Sequence, residues 1–504
     1  MSPATEVPSP EDRAPTGVPG LDKILNGGLP ANKLYLVKGV PGTGKTTLAM
    51  QFLMEGVRRG ETALYITLSE TREEIEIVAR SHGWDLTGIT LFEFIEAEEK
   101  LRSGTDSSFF HPSEMELTRT TEILLGEVER VGPARVVFDS LSEFRLLAEA
   151  PLRYRRQILR LKQHFAGRKI TVLFLDDGSD ADGDQHIESI VHGVINLQRS
   201  HPDYGATRRK LVVEKLRGSP FTEGHHDLAL RSGGLTVFHR LIAEDHEAEG
   251  ESTLVPSSIP ELDALLGGGL HTGTSTMFMG PPGTGKSTMA VRFAITMAQR
   301  GEKSLLLLFD ENPTILLRRT TALGISLRPF IDNGMITLRS IDPAATSPGE
   351  VTQSIVRAVN EDNVRLVAID SINGYLNAMA EIRLLNLQLH ELLTFLARRS
   401  VLTLFVLSQQ GMMGSMQTTV DLSYLADTVI LSRYFEAFGA VKLALSVIKM
   451  RSSDHERTIR EYRFAKGGVE LGEPLKGMQG VLTGVPTFIS GSDSLLPPFP
   501  KRPQ

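Results

Sequence analysis

Short apolar runs of strand length recur along the chain, and segments with helical spacing separate them. Buried runs of Val, Leu and Ile that alternate with helices are typical of parallel βαβ sheets covered on both faces. The pattern therefore predicts open α/β domains, which bind their ligands at the carboxyl ends of the strands. The predicted strands span residues 34–38, 63–68, 135–138 and 170–175 in the first half, and residues 304–309, 365–369 and 401–407 in the second.

The pattern occurs twice. The segment TGVPGLDKILNGGL returns as SSIPELDALLGGGL, which pairs Leu21 with Leu262 at a separation of 241 residues. Asp139 and Asp370 are only 231 residues apart, and we assign the extra residues of the first copy to an insertion at 103–113. A repeat this long indicates a duplicated domain rather than a solenoid unit. We predict a disordered tail at 1–15, a first domain at 16–242, an acidic linker at 243–256, a second domain at 257–484 and a tail at 485–504.

Each half carries a complete phosphate-binding motif. GVPGTGKT and GPPGTGKS both fit the pattern G-x-x-x-x-G-K-[ST]. In this motif the glycines let backbone N–H groups surround the phosphates, the lysine reaches the terminal phosphates and the hydroxyl binds Mg²⁺. Two copies in register predict that both halves bind ATP and Mg²⁺. The predicted nucleotide-binding residues are Gly42, Thr43, Gly44, Lys45, Thr46 and Thr47 in the first half, and Gly283, Thr284, Gly285, Lys286, Ser287 and Thr288 in the second.

Carboxylates follow the predicted strands at matching positions. Asp139 in RVVFDS and Asp370 in LVAIDS each end an apolar run, which suits a Walker B carboxylate that holds Mg²⁺ together with the hydroxyls of Thr46 and Ser287. An Asp before a Ser also suits a helix cap.

Two glutamates follow the neighbouring strands, Glu70 in LSET and Glu311 in FDEN. They could orient or deprotonate an attacking water. Acids in the first turn of a helix would look the same, because they favour the helix dipole.

A basic tripeptide also recurs late in each half, as Lys215-Leu216-Arg217 and Lys449-Met450-Arg451. On a strand, residues two apart share one face, so each Lys and Arg would project together. A solvated strand face would give the same pattern. The duplication instead favours a cation pair that reaches the γ-phosphate bound by an adjacent subunit, and such an arrangement requires a ring.

Composition excludes several other classes of protein. The 504 residues are 41% hydrophobic and 23% charged, which is enough apolar material for two buried cores. The sequence has no apolar run of membrane-spanning length and no hydrophobic signal region, so we expect a cytoplasmic protein without membrane contact. The absence of cysteine excludes disulfides and thiolate catalysis. The net charge of −7 argues against a surface built for nucleic acid.

Several motifs in combination resemble the KaiC family of clock ATPases and autokinases. They are TGVPGLDKILNGGL before the first phosphate-binding motif (each such motif is called a cradle below), D-S at the end of each Walker B strand, VVEKLRGS, SVIKMRS and GVLTGVPTFIS. The similarity spans residues 16–490. The resemblance implies two tandem RecA-like P-loop NTPase domains in a two-tiered homohexamer, with ATP between neighbouring subunits. It also implies slow hydrolysis in the N-terminal tier, autophosphorylation and dephosphorylation in the C-terminal tier, and action in trans by Lys215, Arg217, Lys449 and Arg451.

The chain departs from the family pattern at the reacting groups. Cyanobacterial members carry two adjacent carboxylates in each half, whereas this chain has Ser69-Glu70 and Asp310-Glu311. Glu70 is then the only acidic base of the first half, and the shorter Asp310 replaces the family's kinase base. Alignment on Asp427-Thr428 puts Ser423-Tyr424 where the family has its phosphorylated Ser-Thr pair, so Ser423 is the phosphorylation candidate. Without the family, Ser423 would simply be a turn or cap residue.

Two other functions remain open at the sequence level. A RecA-like DNA motor needs basic loops at its pore, but residues 407–423 contain no Lys or Arg and residues 176–187 are acidic. A nucleotide-gated scaffold would bind signalling proteins and use hydrolysis as its timer, without kinase activity. The tail PPFPKRPQ does not resemble the family's partner-binding extension.

Overall fold

The computed structural model describes residues 13–94, 112–148, 150–178, 185–202, 204–248, 250–377, 382–409, 422–483 and 486–488. The chain divides into two compact units, Met1–Arg240 and Leu241–Gln504. Each unit contains a 9-stranded sheet with helices against it. The insertion predicted at 103–113 falls largely outside the described residues.

The first unit contains eleven described strands and seven described helices. The strands are β1 (Arg13–Ala14), β2 (Leu29–Pro30), β3 (Leu34–Lys38), β4 (Ala63–Thr67), β5 (Ile89–Glu93), β6 (Arg135–Asp139), β7 (Thr171–Asp176), β8 (Gly193–Ser200), β9 (Arg208–Leu216), β10 (His226–Arg231) and β11 (Gly234–Phe238). The helices are α1 (Leu21–Ile24), α2 (Lys45–Arg58), α3 (Arg72–Ser81), α4 (Pro112–Val131), α5 (Leu141–Ala148), α6 (Pro151–Phe165) and α7 (Gln185–Ile190).

The second unit repeats this series. Its strands are β12 (Leu254–Val255), β13 (Leu270–His271), β14 (Ser275–Gly280), β15 (Lys303–Leu308), β16 (Ile336–Ser340), β17 (Val364–Asp370), β18 (Leu402–Ser408), β19 (Thr428–Ala437), β20 (Ala440–Met450), β21 (Arg460–Ala465), β22 (Gly468–Pro474), β23 (Met478–Gln479) and β24 (Thr487–Phe488). Its helices are α8 (Pro260–Leu265), α9 (Lys286–Gln299), α10 (Pro313–Ala322), α11 (Arg328–Asp332), α12 (Pro348–Asn360), α13 (Ile372–Asn377) and α14 (Ile382–Arg398), and 3-10 turns occur at Ala243–Asp245 and Val481–Thr483.

The two large sheets have the same topology. The first has the order β11-β10-β9-β8-β3-β7-β6-β4-β5, and the second has β22-β21-β20-β19-β14-β18-β17-β15-β16 when read in the same direction. In each sheet six consecutive strands are parallel, from β8 to β5 in the first sheet and from β19 to β16 in the second. The other three strands, β9–β11 and β20–β22, pair antiparallel with their neighbours. The predicted fold class, two tandem RecA-like domains with mainly parallel sheets, is confirmed.

Both faces of each sheet are covered, as the continuous apolar runs predict. Along β3, Tyr35 and Val37 belong to one buried cluster, whereas Leu34 and Leu36 belong to another. Successive strand residues point to opposite faces, so the two clusters lie on opposite sides of the sheet. The second sheet also separates two clusters. The rigid sheet thus fixes the strand ends that carry the candidate chemistry.

Short segments outside the predicted domains also have defined structure. Arg13, assigned to the N-terminal tail, is 8% exposed and donates to the carbonyls of Leu25 and Gly28 and to the hydroxyl of Ser219. A buried guanidinium requires such partners, and they join β1 to the segment just before β2 and to Ser219. In the segment assigned to the linker, the N–H of Ala243 donates to Glu391 at 3.0 Å.

The second unit also incorporates other residues of the assigned linker. Ala243 joins one of its buried clusters, and β12 pairs with β13. The acidic composition of the segment gave no sign of these contacts, because its few apolar residues make them.

Candidate functional site

Each phosphate-binding motif connects a central strand to a long helix. In the first unit the loop follows β3 and α2 begins at Lys45. In the second it follows β14 and α9 begins at Lys286. Gly44 (φ 106°) and Gly285 (φ 79°) cap these helices in the left-handed region, which costs glycine little. Both loops therefore direct the N-terminus of a 14-residue helix towards the predicted phosphate position.

Hydroxyl groups stabilise the two loops in the same way. Thr43 donates to the carbonyl of Val40 at 2.9 Å, and Thr284 donates to the carbonyl of Pro281 at 2.9 Å. Gly42 and Gly283 adopt left-handed φ angles of 79° and 83°. The remaining predicted nucleotide-binding residues lie in the first turns of the helices: Lys45, Thr46 and Thr47 in α2, and Lys286, Ser287 and Thr288 in α9.

The cradle lysine of the first site is paired with a carboxylate. Lys45 Nζ lies 2.9 Å from Asp177 Oδ1 and donates to the carbonyl of Gly39 at 2.7 Å. Asp177 directly follows β7, the strand that lies next to β3. In the sequence, Asp177 is visible only as part of the acidic segment 176–187, and no spacing connects it with Lys45. A phosphate group that binds to Lys45 would have to compete with Asp177 for this lysine.

The predicted metal carboxylate of the first site receives two hydrogen bonds on one oxygen. Thr46 donates to Asp139 Oδ2 at 2.9 Å, and the hydroxyl of Tyr65 donates to the same atom. Burial raises the pKa of the Asp139 carboxyl, and these two hydrogen bonds oppose the rise. Tyr65 lies in the apolar run of β4 and gave no sign of this role in the sequence.

Glu70 lies three residues beyond the end of β4 and is exposed. Its backbone is fixed by Thr67, because the Glu70 N–H donates to Thr67 Oγ1 at 2.9 Å and Thr67 Oγ1 donates to the Glu70 carbonyl at 2.7 Å. Although much of the residue contacts solvent, its carboxyl group is partly enclosed by the site, and this loss of hydration raises the pKa of Glu70. The charge of Asp139 adds to the rise. A positioned carboxylate with a raised pKa has the properties of a general base.

The second site is a cavity of about 590 Å³ at the carboxyl ends of the parallel strands. Its lining includes the cradle residues Lys286 and Ser287 and the three carboxylates Asp310, Glu311 and Asp370. The structure therefore brings the predicted cradle residues and the predicted carboxylates of this site together in one cavity.

The carboxylates of the second site have different partners. Ser371 Oγ donates to Asp310 Oδ2. Glu311 instead forms a two-pronged ion pair with Arg319, at 2.8 Å from Nη2 to Oε2 and 3.2 Å from Nε to Oε1. Burial raises the pKa of Asp370, which accepts a hydrogen bond from Ser287.

Among the described residues, no carboxylate pairs with the cradle lysine of the second site as Asp177 pairs with Lys45. Lys286 Nζ donates to the carbonyl of Pro281 at 2.7 Å, and Ser408 occupies the position that corresponds to Asp177. Burial lowers the pKa of Lys286 to about 8, and the charge of Asp370 only partly opposes this shift.

The donor set of each site fits Mg²⁺. A hydroxyl and a carboxylate are already in contact, as Thr46 with Asp139 and Ser287 with Asp370. Mg²⁺ prefers oxygen ligands and usually takes few from the protein, completing its shell with water and substrate phosphates. In the described part of the chain, no group of three or more His, Asp or Glu residues could hold a metal ion by itself.

The two basic tripeptides occupy equivalent strand ends. Lys215 ends β9 with Leu216 and Lys449 ends β20 with Met450, and a register shift precedes each lysine in the pairing with the neighbouring strand. Such a bulge changes the direction in which the following side chains point. Lys215 Nζ donates to the carbonyls of Glu188 and Val191.

The arginine of each tripeptide is the more accessible cation. Arg217 is exposed and donates to the carbonyl of Ser189 at 3.1 Å. Arg451 is 58% exposed and lies 3.8 Å from Asp427. The structure therefore joins each lysine to its own unit and leaves much of each arginine at the surface.

The candidate phosphorylation site lies beside the second tripeptide. Ser423 is in a turn, and Lys449 Nζ donates to its carbonyl at 2.9 Å and to that of Ala426 at 2.6 Å. Asp427 holds the turn against β14 by accepting from the N–H and the hydroxyl of Ser275, both at 3.0 Å. Tyr424 is 54% exposed. Residues 410–421 lie outside the described part, so the loop considered for a DNA motor is described only at its ends.

Known proteins resemble this chain along nearly its whole length. A family model described as "ATPase: KaiC" matches residues 14–241 and again residues 255–476. The "Circadian clock oscillator protein KaiC" of Parathermosynechococcus lividus is 27% identical over 484 residues, which cover 94% of this chain and 88% of that protein. The corresponding protein of Thermosynechococcus vestitus is 26% identical, with 97% and 94% covered. The "Circadian clock protein KaiC3" of Synechocystis is 24% identical, with 96% of each chain covered.

Within the described part of the chain, no helix is long and apolar enough to cross a membrane.

Proposed function

Because the chain belongs to the KaiC ATPase family, we propose that it is an ATP-driven ring protein that acts as a timer or signalling switch. Its N-terminal site hydrolyses ATP, and its C-terminal site transfers phosphate to a serine of the chain. The observation that carries the kinase part is a hydrogen bond in the candidate acceptor segment. Lys449, one of the cations proposed to act on a neighbouring subunit, donates to the backbone carbonyl of Ser423.

The N-terminal site has the groups that hydrolysis of ATP requires. Backbone N–H groups of the loop and Lys45 would bind the phosphates, and Thr46 and Asp139 would hold Mg²⁺. The metal ion neutralises charge on the phosphates when it is bound. Glu70 is the described carboxylate best placed to orient the attacking water and accept its proton, since its backbone is fixed and no arginine or lysine side chain bonds to it.

The C-terminal site has the groups for phosphoryl transfer to a hydroxyl. Lys286, Ser287 and Asp370 would hold ATP and Mg²⁺. Asp310 would accept the proton of the serine hydroxyl as that oxygen forms its bond to the γ-phosphorus and the bond to the β-phosphate oxygen breaks. Dephosphorylation would proceed at the same site.

The position of the acceptor supports the proposed assembly into a homohexamer. Of the described residues, Ser423, Lys449 and Arg451 are not among those that line the cavity of their own unit. They are useful for phosphoryl transfer only if a neighbouring subunit presents its ATP to them. Arg217 would serve the N-terminal sites in the same way, and an arginine supplied across an interface can add roughly 10³ to 10⁵ in rate.

The test is the intact mass of the purified chain after incubation with Mg-ATP, together with its native mass. We expect a hexamer that forms with nucleotide and carries one slowly added, substoichiometric phosphate per chain. Ser423→Ala should remove the phosphate. Tyr424→Phe is the matched control and should keep it, because the phenol oxygen lies several ångströms farther from the backbone than a serine oxygen.

Other outcomes identify the competing functions. A hexamer that hydrolyses ATP and gains no phosphate would be a scaffold ATPase whose output is nucleotide-dependent binding of signalling proteins. The replacement of the family's second acceptor by Tyr424 is the observation that favours this second function. A phosphate that persists in Ser423→Ala would move the acceptor elsewhere, and a chain that stays monomeric with saturating ATP would refute the ring.

A further inference from the structure

The two sites share a fold, but only the glutamate of the second site is paired with an arginine in the described residues. Glu70 follows β4 and Glu311 follows β15 at the same position of the repeat. Helix α10 places Arg319 opposite Glu311, whereas the corresponding residue of α3 is Val78. The first unit therefore has no counterpart of the Arg319–Glu311 ion pair.

Arg319 also reaches the phosphate cradle. Its Nη1 donates to Thr288 Oγ1 at 2.7 Å, while Nε and Nη2 bind the two oxygens of Glu311. The guanidinium thus spans from the first turn of α9 to the carboxylate. A planar guanidinium with several donors can hold two partners in fixed geometry, which a lysine cannot do.

This contact lies inside the nucleotide cavity and is partly shielded from water. The Glu311 side chain is 22% exposed and that of Arg319 is 33% exposed, and both line the cavity. A carboxylate whose two oxygens both accept hydrogen bonds from one arginine has fewer lone pairs left to orient a water molecule.

We propose that Arg319 is a positioning residue that withholds Glu311 from the attacking water, so that the C-terminal site hydrolyses ATP slowly. This inference rests on the proposed ATPase function. Asp310, which is bonded to Ser371 and not to Arg319, remains the carboxylate open to a protein hydroxyl. The ion pair would therefore preserve bound ATP for transfer to a hydroxyl instead of water.

The test is Arg319→Met in a chain that also carries Glu70→Gln to suppress the N-terminal site. The C-terminal rate is the part of the phosphate release that Lys286→Ala removes. We expect the kcat of that part to rise about threefold to tenfold, a fraction of the usual worth of a general base. The KM for ATP should rise as well, because a positive charge is lost from the cavity.

Three further variants separate this role from a structural one. Glu311→Gln together with Arg319→Met should abolish the gain. Arg319→Lys should give an intermediate kcat, because it keeps the charge without the two-pronged contact. Arg318→Met is the matched control on the same helix, since Arg318 is exposed and does not line the cavity, and it should leave the rate unchanged.

The outcomes are distinct from those of the function test. An unchanged or lower kcat in Arg319→Met, including no C-terminal hydrolysis at all, would overturn the proposal that Arg319 withholds Glu311 from water. A gain that survives Glu311→Gln would also overturn it, because the effect would not pass through Glu311. Failure of the kinase proposal would show only as a missing phosphate on the chain, which this rate measurement does not use.

Discussion

The proposed base of the N-terminal site can be tested by Glu70→Gln. The substitution keeps the shape of the side chain and removes its charge. The two hydrogen bonds with Thr67 involve the backbone of Glu70, so the variant should keep the same position. General base catalysis contributes about 10² to 10⁴ in rate. We therefore expect phosphate release to fall by that factor, which corresponds to about 3 to 5 kcal/mol in the activation barrier.

The pH dependence gives a second measure of the same residue. Burial and the charge of Asp139 raise the pKa of Glu70 above the ordinary value of 4.5. A base acts only when it is ionised, so kcat/KM should fall as the pH is lowered through this raised pKa. The acid limb of the profile should therefore lie above pH 4.5. The Glu70→Gln variant should lack this limb.

The assay is steady-state phosphate release by a chain that carries Lys286→Ala, so that only the N-terminal site contributes. Glu73→Gln is the matched control, because Glu73 is an exposed glutamate in the first turn of the adjacent helix. It should retain the starting rate. Turnover of Glu70→Gln equal to that of the control would refute the assignment of Glu70 as the base, and an unchanged acid limb would show that another group titrates.

Two further predictions concern the cradle lysines. Because burial lowers the pKa of Lys286 to about 8 and a neutral lysine attracts phosphate weakly, the affinity of the C-terminal site for Mg-free ATP should fall as pH rises through 8. The fall should reach about tenfold between pH 7 and pH 9 for one titrating group; equilibrium binding to a Lys45→Ala chain measures it, and a constant affinity would contradict it. Asp177→Asn should free Lys45 and tighten ATP binding at the N-terminal site about twofold to fivefold, the usual worth of a partly exposed ion pair; an unchanged Kd in a Lys286→Ala chain would show that Asp177 does not compete with ATP.

The sequence was sufficient to predict the architecture of both units. Apolar runs located the central strands, and the observed β3 has the same bounds as its prediction at 34–38. This succeeds because a buried parallel strand must be apolar on both faces, so its signal is continuous. The P-loop spacing likewise identifies the loop, the helix that follows it and the lysine, since the phosphate geometry leaves little freedom.

The partners of the reactive groups could not be predicted in this way. Arg318 and Arg319 are adjacent in the sequence, and only the rotation of α10 decides which of them meets Glu311. Tyr65 lies in an apolar run of the sequence, which predicts only a buried strand residue. Its hydroxyl nevertheless donates to Asp139, because β4 and β6 are neighbours in the sheet. Such contacts depend on strand order and helix phase, which a single sequence specifies only through the complete fold.

The ion pairs of the two sites suggest how one duplicated fold can serve two reactions. In the N-terminal site the pair engages the cradle lysine, Lys45 with Asp177, and within the described residues Glu70 forms no ion pair of its own. In the C-terminal site the pair engages the glutamate, Glu311 with Arg319. An occupied lysine opposes ATP binding and a free glutamate favours attack by water, so the first arrangement suits turnover. The second would retain ATP and disfavour attack by water, which is the condition that the proposed transfer to a protein hydroxyl requires.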